Sequence, residues 1–160
     1  MLIAFTVLTV MLGGLLRAMG GSVALSAQSQ DLAVAVEAAR TTMEELQAQD
    51  LATVFAAYGQ SAGADPGDGF EVVGLQALPD DADGLVGQVL FPVDPKDPAV
   101  LCETVSDFPG MPRDLNLDGD STDADVTADC VLLPVVVRLE WRGPGGAPQT
   151  YELRSLLCGL

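Results

Sequence analysis

The first sixteen residues constrain this chain most, because they contain no charged side chain (MLIAFTVLTVMLGGLL). Arg17 is the only charged residue among the first thirty, and no proline occurs before Pro66. Sixteen helical residues rise about 24 Å, less than the ~30 Å hydrocarbon core of a bilayer. A basic segment of the kind that opens a secretory signal peptide is absent. The pattern predicts that residues 1–30 form a helix that lies in a membrane or a helix bundle; the alternative is a buried core helix.

Residues 31–58 continue the helical pattern, now with a polar side. Apolar residues recur at roughly helical spacing, while Glu37, Glu44 and Glu45 lie off that line. Gly59 is a suitable residue to follow the end of a helix. We therefore expect one unbroken helix to Tyr58, whose second half packs on the remaining residues, 59–160. The expected packing residues are Leu32, Val36, Ala39, Met43, Leu46, Val54 and Tyr58.

Residues 59–160 have the pattern of a small β-rich head. The segment 61–69 is a turn-rich linker, and short strands are expected at Phe70–Gln76, Leu85–Val93 and Val100–Val105. Val135–Trp141 and Thr150–Leu157 alternate apolar with polar residues on either side of a Gly/Pro loop, which predicts a β-hairpin. The predicted fold class is α+β, with a long N-terminal α-helix packed on a small antiparallel sheet.

The charge of the chain is strongly acidic, with a formal net charge of −16. Much of the excess lies between Asp65 and Asp129, where fourteen Asp and two Glu face Lys96 and Arg113. Such a field repels phosphate backbones, so we expect no nucleic-acid partner. It attracts divalent cations, and the alternative interpretation is a solvated, solubilising surface.

The absence of histidine limits the chemistry that is available. It excludes Ser-His-Asp and Cys-His catalysis and histidine-bearing zinc sites. Three cysteines, Cys102, Cys130 and Cys158, lack any C-x-x-C spacing. In an oxidising compartment one disulfide is expected, for which Cys102–Cys130 is a candidate; three reduced thiols are the alternative. No catalytic constellation is visible, so we expect a protein that is not an enzyme.

Residues 114–125 (DLNLDGDSTDAD) carry oxygen-bearing side chains at alternate positions. They fit the D-x-[DN]-x-[DN]-G half of an EF-hand-type calcium loop, with Gly119 at the sharp turn. The flanking helices of an EF-hand are not predicted, and position twelve holds Asp125 instead of Glu. We therefore predict a calcium loop that stiffens the head, with a solvated acidic turn as the alternative. The candidate ligands are Asp114, Asn116, Asp118 and Asp125, assisted by Asp120 or Asp123.

The N-terminal region resembles the helices of type IV pilins and type II secretion pseudopilins. The segment MLIAFTVLTVMLGGLLRAM is similar to the start of minor pilins of the type IV pilus modification class, and SQDLAVAVEAARTTMEELQ to their amphipathic continuation. The family's basic leader, cleavage glycine and early glutamate are absent, since the first glutamate is Glu37. The resemblance therefore implies a start about seven residues inside the mature chain; the alternative is a chain that is not a processed pilin.

The resemblance implies a bacterial inner-membrane protein whose head lies on the periplasmic side before assembly into a pilus or pseudopilus. Its partners would be other pilin-like subunits, held through the N-terminal helix. The function expected from it is that of a structural minor pilin or pseudopilin. The alternative is a single-pass, membrane-anchored calcium-binding or adhesion module that never enters a filament.

Overall fold

The computed structural model describes residues 2–59 and 68–159, with side chains in α1 described at 11–13, at 23 and from 25 onward. Two helices lead into an antiparallel sheet, which confirms the α+β class. Helix α1 spans Leu2–Gln47 and helix α2 spans Leu51–Tyr58. Most of the predicted linker at 61–69 lies outside the described residues.

The prediction of one unbroken helix to Tyr58 is wrong, because the chain turns between α1 and α2. Asp50 caps α2 with an extended backbone, and its side chain accepts a hydrogen bond from the Ala52 N–H at 3.2 Å. Aspartate at this position satisfies an amide that has no partner inside the helix. Gly59 ends α2 as expected, and its N–H donates to the Phe55 carbonyl at 2.8 Å.

The main sheet has four antiparallel strands in the order β1-β2-β5-β6. They are β1 (Asp68–Phe70), β2 (Gly87–Leu90), β5 (Leu132–Arg142) and β6 (Pro148–Cys158). Strands β3 (Val93–Asp94) and β4 (Asp97–Leu101) form a separate small hairpin. Phe70 pairs with Gly87, where an added Cβ would lie only 2.3 Å from the Phe70 ring. Glycine therefore lets the ring cover the strand.

The predicted hairpin at the end of the chain is confirmed and is longer than expected. Strands β5 and β6 pair from Leu132↔Cys158 to Arg142↔Pro148, and glycines at positive φ form the turn between them. Arg138 opposes Glu152 and bonds to it at 2.9 Å, and Glu140 opposes Thr150. Arg154 and Arg138 lower the pKa of the Glu152 carboxyl below its usual value.

The other predicted strands differ from the observed ones in their ends. Phe70–Gln76 is strand only at Phe70, and Leu85–Val93 is divided between β2 and the first residue of β3. Val100–Val105 is strand only to Leu101. Short apolar runs do not fix their own strand ends, because the ends depend on which partner residues supply the hydrogen bonds.

The core lies between α1 and the sheet. Helix α1 contributes Ala35, Ala39, Met43 and Leu46, and β5 contributes the alternating residues Leu133, Val135, Val137, Leu139 and Trp141. Leu32 is 45% exposed, so the buried stripe is rotated from the predicted one toward Ala35. Small side chains at Ala35 and Ala39 let the helix approach the sheet closely. Phe55 of α2 adds an edge-to-face contact with Phe91, with ring centroids 5.6 Å apart.

The N-terminal part of α1 leaves apolar side chains exposed. Met11, Leu12, Val23 and Leu25 are 58–69% exposed. Across the described residues, no helix combines the length and the hydropathy needed to cross a membrane.

The three cysteines are free, so the structure does not contain the expected Cys102–Cys130 disulfide. The Cys102 sulfur lies 3.0 Å from the Thr104 hydroxyl, and the Cys130 thiol donates to the Leu132 carbonyl at 3.1 Å. Burial raises the pKa of the Cys130 thiol to about 11. Since the thiolate is the reactive form, Cys130 is a poor nucleophile at neutral pH.

We predict that Leu139→Ala lowers the free energy of unfolding by about 2–5 kcal/mol, because the side chain is fully buried and its loss leaves a cavity. Urea unfolding followed by the fluorescence of Trp141 measures the change. Val73→Ala is the control, since Val73 is 88% exposed, and its effect should stay within about 0.5 kcal/mol. A small loss for Leu139→Ala would contradict the described core.

Candidate metal centre

The acidic loop 114–125 lies between β4 and β5, and two buried apolar side chains hold its ends in the core. Leu115 and Val126 are fully buried in the core. The Leu115 carbonyl accepts the Val131 and Leu132 amides at 2.8 and 2.9 Å, and the Val126 amide donates to the Leu101 carbonyl at 3.0 Å. The loop therefore has fixed ends although it contains no helix or strand.

Within the loop, side-chain oxygens cap the backbone at alternate residues. Asn116, Asp118 and Asp120 each accept the N–H two residues ahead, at 2.9–3.2 Å. Asp114 accepts the Leu117 and Gly119 amides at 2.6 and 3.0 Å. Gly119 has φ 109°, a conformation that favours glycine. These contacts produce the sharp turn that the sequence motif predicts.

Glu103, two residues after the end of β4, lies against the loop and is fully buried. Its carboxylate accepts the Leu115 amide at 2.6 Å and the Asp123 amide at 3.3 Å. Oxygen atoms of Glu103, Asp120 and Asp123 all lie within 4.8 Å of one another. Three carboxylates thus converge at one point below the loop.

The electrostatics of this cluster disfavour three ionised carboxylates. Burial raises the pKa of the Asp123 carboxyl, and the nearby charges of Asp118, Asp120 and Glu103 raise it further. The hydrogen bond from the Asn116 amide nitrogen opposes this shift. Among the described residues, the ion pairs formed by Arg and Lys involve Glu152 and none of these acids.

The structure brings only some of the predicted ligands together. Asp120 and Asp123 are in the cluster, and Asp118 is close enough to raise the pKa of Asp123. Asn116 directs its amide nitrogen toward Asp123 at 3.2 Å, so ligation through its oxygen requires the amide to rotate. Asp114 caps the turn with both oxygens.

Asp125, the predicted twelfth-position ligand, does not join the three-carboxylate cluster. It is exposed, and its side chain accepts the Thr127 amide at 3.0 Å, which lowers the pKa of its carboxyl. Glu103 instead supplies a longer carboxylate from a separate part of the chain. If a cation binds here, Glu103 would take the place that an EF-hand gives to its final Glu.

The sequence interpretation missed Glu103 because it lies eleven residues before the loop motif. One signal was present: Glu103 is a single acid next to the apolar run AVLC, where a charge is expected to be buried only with partners. Placing it beside the loop requires knowing that the Val126 amide bonds to Leu101 and that the Glu103 amide bonds to Asp123.

The donor set suits a hard divalent cation. Calcium binds carboxylate, carbonyl and amide oxygens at 2.3–2.6 Å, so oxygens on opposite sides of the ion are about 5 Å apart. The carboxylate oxygens lie within 4.8 Å of one another, close enough for one such ion to contact all three. A cation here would neutralise the buried Glu103 charge and the repulsion around Asp123.

Comparisons with known proteins identify no relative: no protein-family model, curated protein or solved structure matches the chain.

We predict that Glu103→Gln weakens calcium binding by the full chain at least tenfold, about 1.4 kcal/mol, because it removes a buried charged ligand. Asp125→Asn is the matched control: it removes one charge from the loop outside the three-carboxylate cluster, and its effect should be smaller. Isothermal titration calorimetry in detergent measures both. A larger loss for Asp125→Asn would favour the motif's own twelfth position, and no heat with the wild type would exclude a calcium site.

We also predict a pH dependence of stability in the presence of a chelator. Since the folded-state pKa of Asp123 is raised above 3.8, the folded state holds this proton more tightly than the unfolded state. The resulting stabilisation is complete below 3.8 and is lost as pH rises through the folded pKa. The free energy of unfolding of the wild type minus that of Asp123→Asn should therefore fall as pH rises from 4 to 7. A difference that stays level or rises would contradict the crowding of these carboxylates.

Proposed function

We propose that this chain is a pilin-like structural subunit of a type IV pilus or type II secretion filament, with a head stiffened by calcium. The observation that carries the proposal is helix α1. It runs unbroken for 46 residues, about 69 Å at 1.5 Å per residue, and its C-terminal part packs on the sheet. A helix of this kind joins an acidic, folded head to an apolar segment that is available for assembly.

The exposed side chains of the N-terminal part of α1 support this division. Met11, Leu12 and Val23 are largely exposed and lie before the first residues that contact the sheet. Several exposed apolar side chains on one helix indicate an interaction surface, because their contact with water is unfavourable until a partner or lipid covers them. Under the proposal, the corresponding helices of neighbouring subunits cover them in the filament, and the inner membrane does so before assembly.

The candidate metal centre supports a mechanical role for the head. The loop 107–131 contains no helix or strand, and its folded state depends on capped turns and on Glu103. Calcium would bind the folded loop better than the unfolded chain and so stabilise it by mass action. Protection of an exposed head from unfolding is a structural role and requires no catalytic group.

We predict that Val23→Lys, alone or with Met11→Lys, prevents incorporation into filaments while the head remains folded, because a charge would be buried between helices. Antibody detection in filaments sheared from source cells measures incorporation. Val73→Lys is the matched control, because it places the same charge at an exposed apolar residue of the head, and it should assemble normally.

Two results would reject the filament role. The first is wild-type protein that fractionates with membranes and never with sheared filaments, which would favour a membrane-anchored module. The second is equal incorporation of Val23→Lys and Val73→Lys.

A further inference from the structure

Strand β6 forms one edge of the main sheet and is eleven residues long. The described residues provide it with a single strand partner, β5. Long open edges of this kind pair readily with another strand, and many proteins keep their edge strands short or covered. The hydrogen-bond register shows which backbone groups of β6 point outward.

The even-numbered residues of β6 direct their backbone groups away from β5. The Glu140 and Arg142 amides donate to the Val86 and Gln76 carbonyls, so even residues of β5 bond on the side away from β6. At the other end, the Gly159 amide donates to the Val131 carbonyl, an odd-numbered pair. In an antiparallel ladder the two kinds of pair alternate. Thr150, Glu152, Arg154 and Leu156 therefore each present one N–H and one C=O at the open edge.

The charges along this edge are self-complementary in one antiparallel register. If Leu153 lies opposite Leu153 of a second copy, Glu152 falls opposite Arg154 of that copy, and Arg154 opposite its Glu152. Thr150 then falls opposite Leu156, so the outward groups of all four residues find partners. The two neighbouring registers that keep these groups paired place Glu152 opposite Glu152 or Arg154 opposite Arg154, which is unfavourable.

An apolar stripe on α1 borders the same edge. The α1 face that includes Val34 and Ala38 lines a groove with Tyr58 and Phe70, on the β1 side of the helix. Leu25, Leu32 and Val36 are spaced by seven and four residues, which places them on the opposite flank of the helix, the one toward the β6 end of the sheet. Leu25 is 66% exposed and Leu32 45% exposed.

The helix position leaves room for a second copy. Helix α1 contacts both β5 and β6. In a pair related by a two-fold axis perpendicular to the sheet, the two α1 helices therefore lie on the same face of the joined sheet, and their β6-side flanks are turned toward each other.

We propose that the β6 edge is a self-association surface, on which β6 of a second copy pairs antiparallel in the register that sets Glu152 opposite Arg154. The pairing makes one continuous eight-stranded sheet from two four-stranded ones. The N-terminal halves of the two α1 helices then point in opposite directions. Parallel subunits within one filament cannot pair in this way, so the contact joins heads from two filaments or from two facing surfaces. It does not depend on the proposed filament role.

Charge reversal tests the register directly. Arg154→Glu and Glu152→Arg each place like charges opposite one another, so each variant alone should associate at least tenfold more weakly than the wild type. In an equal mixture of the two variants every like pair becomes an opposite pair, and a heterodimer should form. Sedimentation velocity on the full chain in detergent measures self-association, and differently tagged variants report the heterodimer. The fluorescence of Trp141 and circular dichroism establish that each variant is folded.

Arg113→Glu is the control, because it makes the same charge change at an exposed residue outside the sheet; it should dimerise like the wild type. A third variant, Leu156→Pro, removes an outward N–H without removing a bond to β5 and should be monomeric. The proposal is overturned by a wild type that stays monomeric at the highest concentration at which it is soluble. It is also overturned by association that survives Arg154→Glu, or by variants that fail to pair when mixed.

Discussion

The packing of α1 across β5 and β6 is the contact on which the rest of the structure depends. Ala35 and Ala39 are fully buried against the alternating apolar face of β5, and small side chains make this close approach possible. Burial of that face stabilises the β5–β6 hairpin, since an isolated two-stranded hairpin is only marginally stable in water. The same contact fixes which flank of α1 overhangs the open edge of β6 and how far its N-terminal part extends from the head.

The position of the acidic loop depends indirectly on the same helix–sheet packing. Leu115 and Val126 bury themselves in the core, and the backbone bonds to Leu101, Val131 and Leu132 fix the loop between two strands. Only in that position does Glu103 come within reach of Asp120 and Asp123. Burial, together with the nearby carboxylate charges, raises the pKa of the Asp123 carboxyl, and the partners of the buried Glu103 are backbone amides. A divalent cation is the chemical group that would relieve both.

Prediction from the sequence succeeded where one local pattern repeats for long enough. The alternation in Val135–Trp141 specifies a strand with one buried face, and burial follows it from Val137 to Trp141, whereas Val136 on the opposite face is also buried. It failed where short-range and long-range preferences compete. Asp50 restarts the helix through its capping bond, although the apolar spacing continues across it to Val54. Leu32 fits the predicted stripe, yet it is 45% exposed because α1 turns Ala35 and Ala39 toward the sheet.

By itself, the sequence determined the division into an apolar helix start, an amphipathic helix and an acidic β-rich head, because charge and periodicity are properties of neighbouring residues. It also determined the capped turns of the loop 114–125, whose bonds span at most five residues. Only the tertiary structure decided that Glu103, and not Asp125, faces the carboxylate cluster. Only it decided that Cys102 and Cys130 stay apart and that β6 forms an open edge. These features join residues distant along the chain, and their separation in space is set by how the helix packs on the sheet.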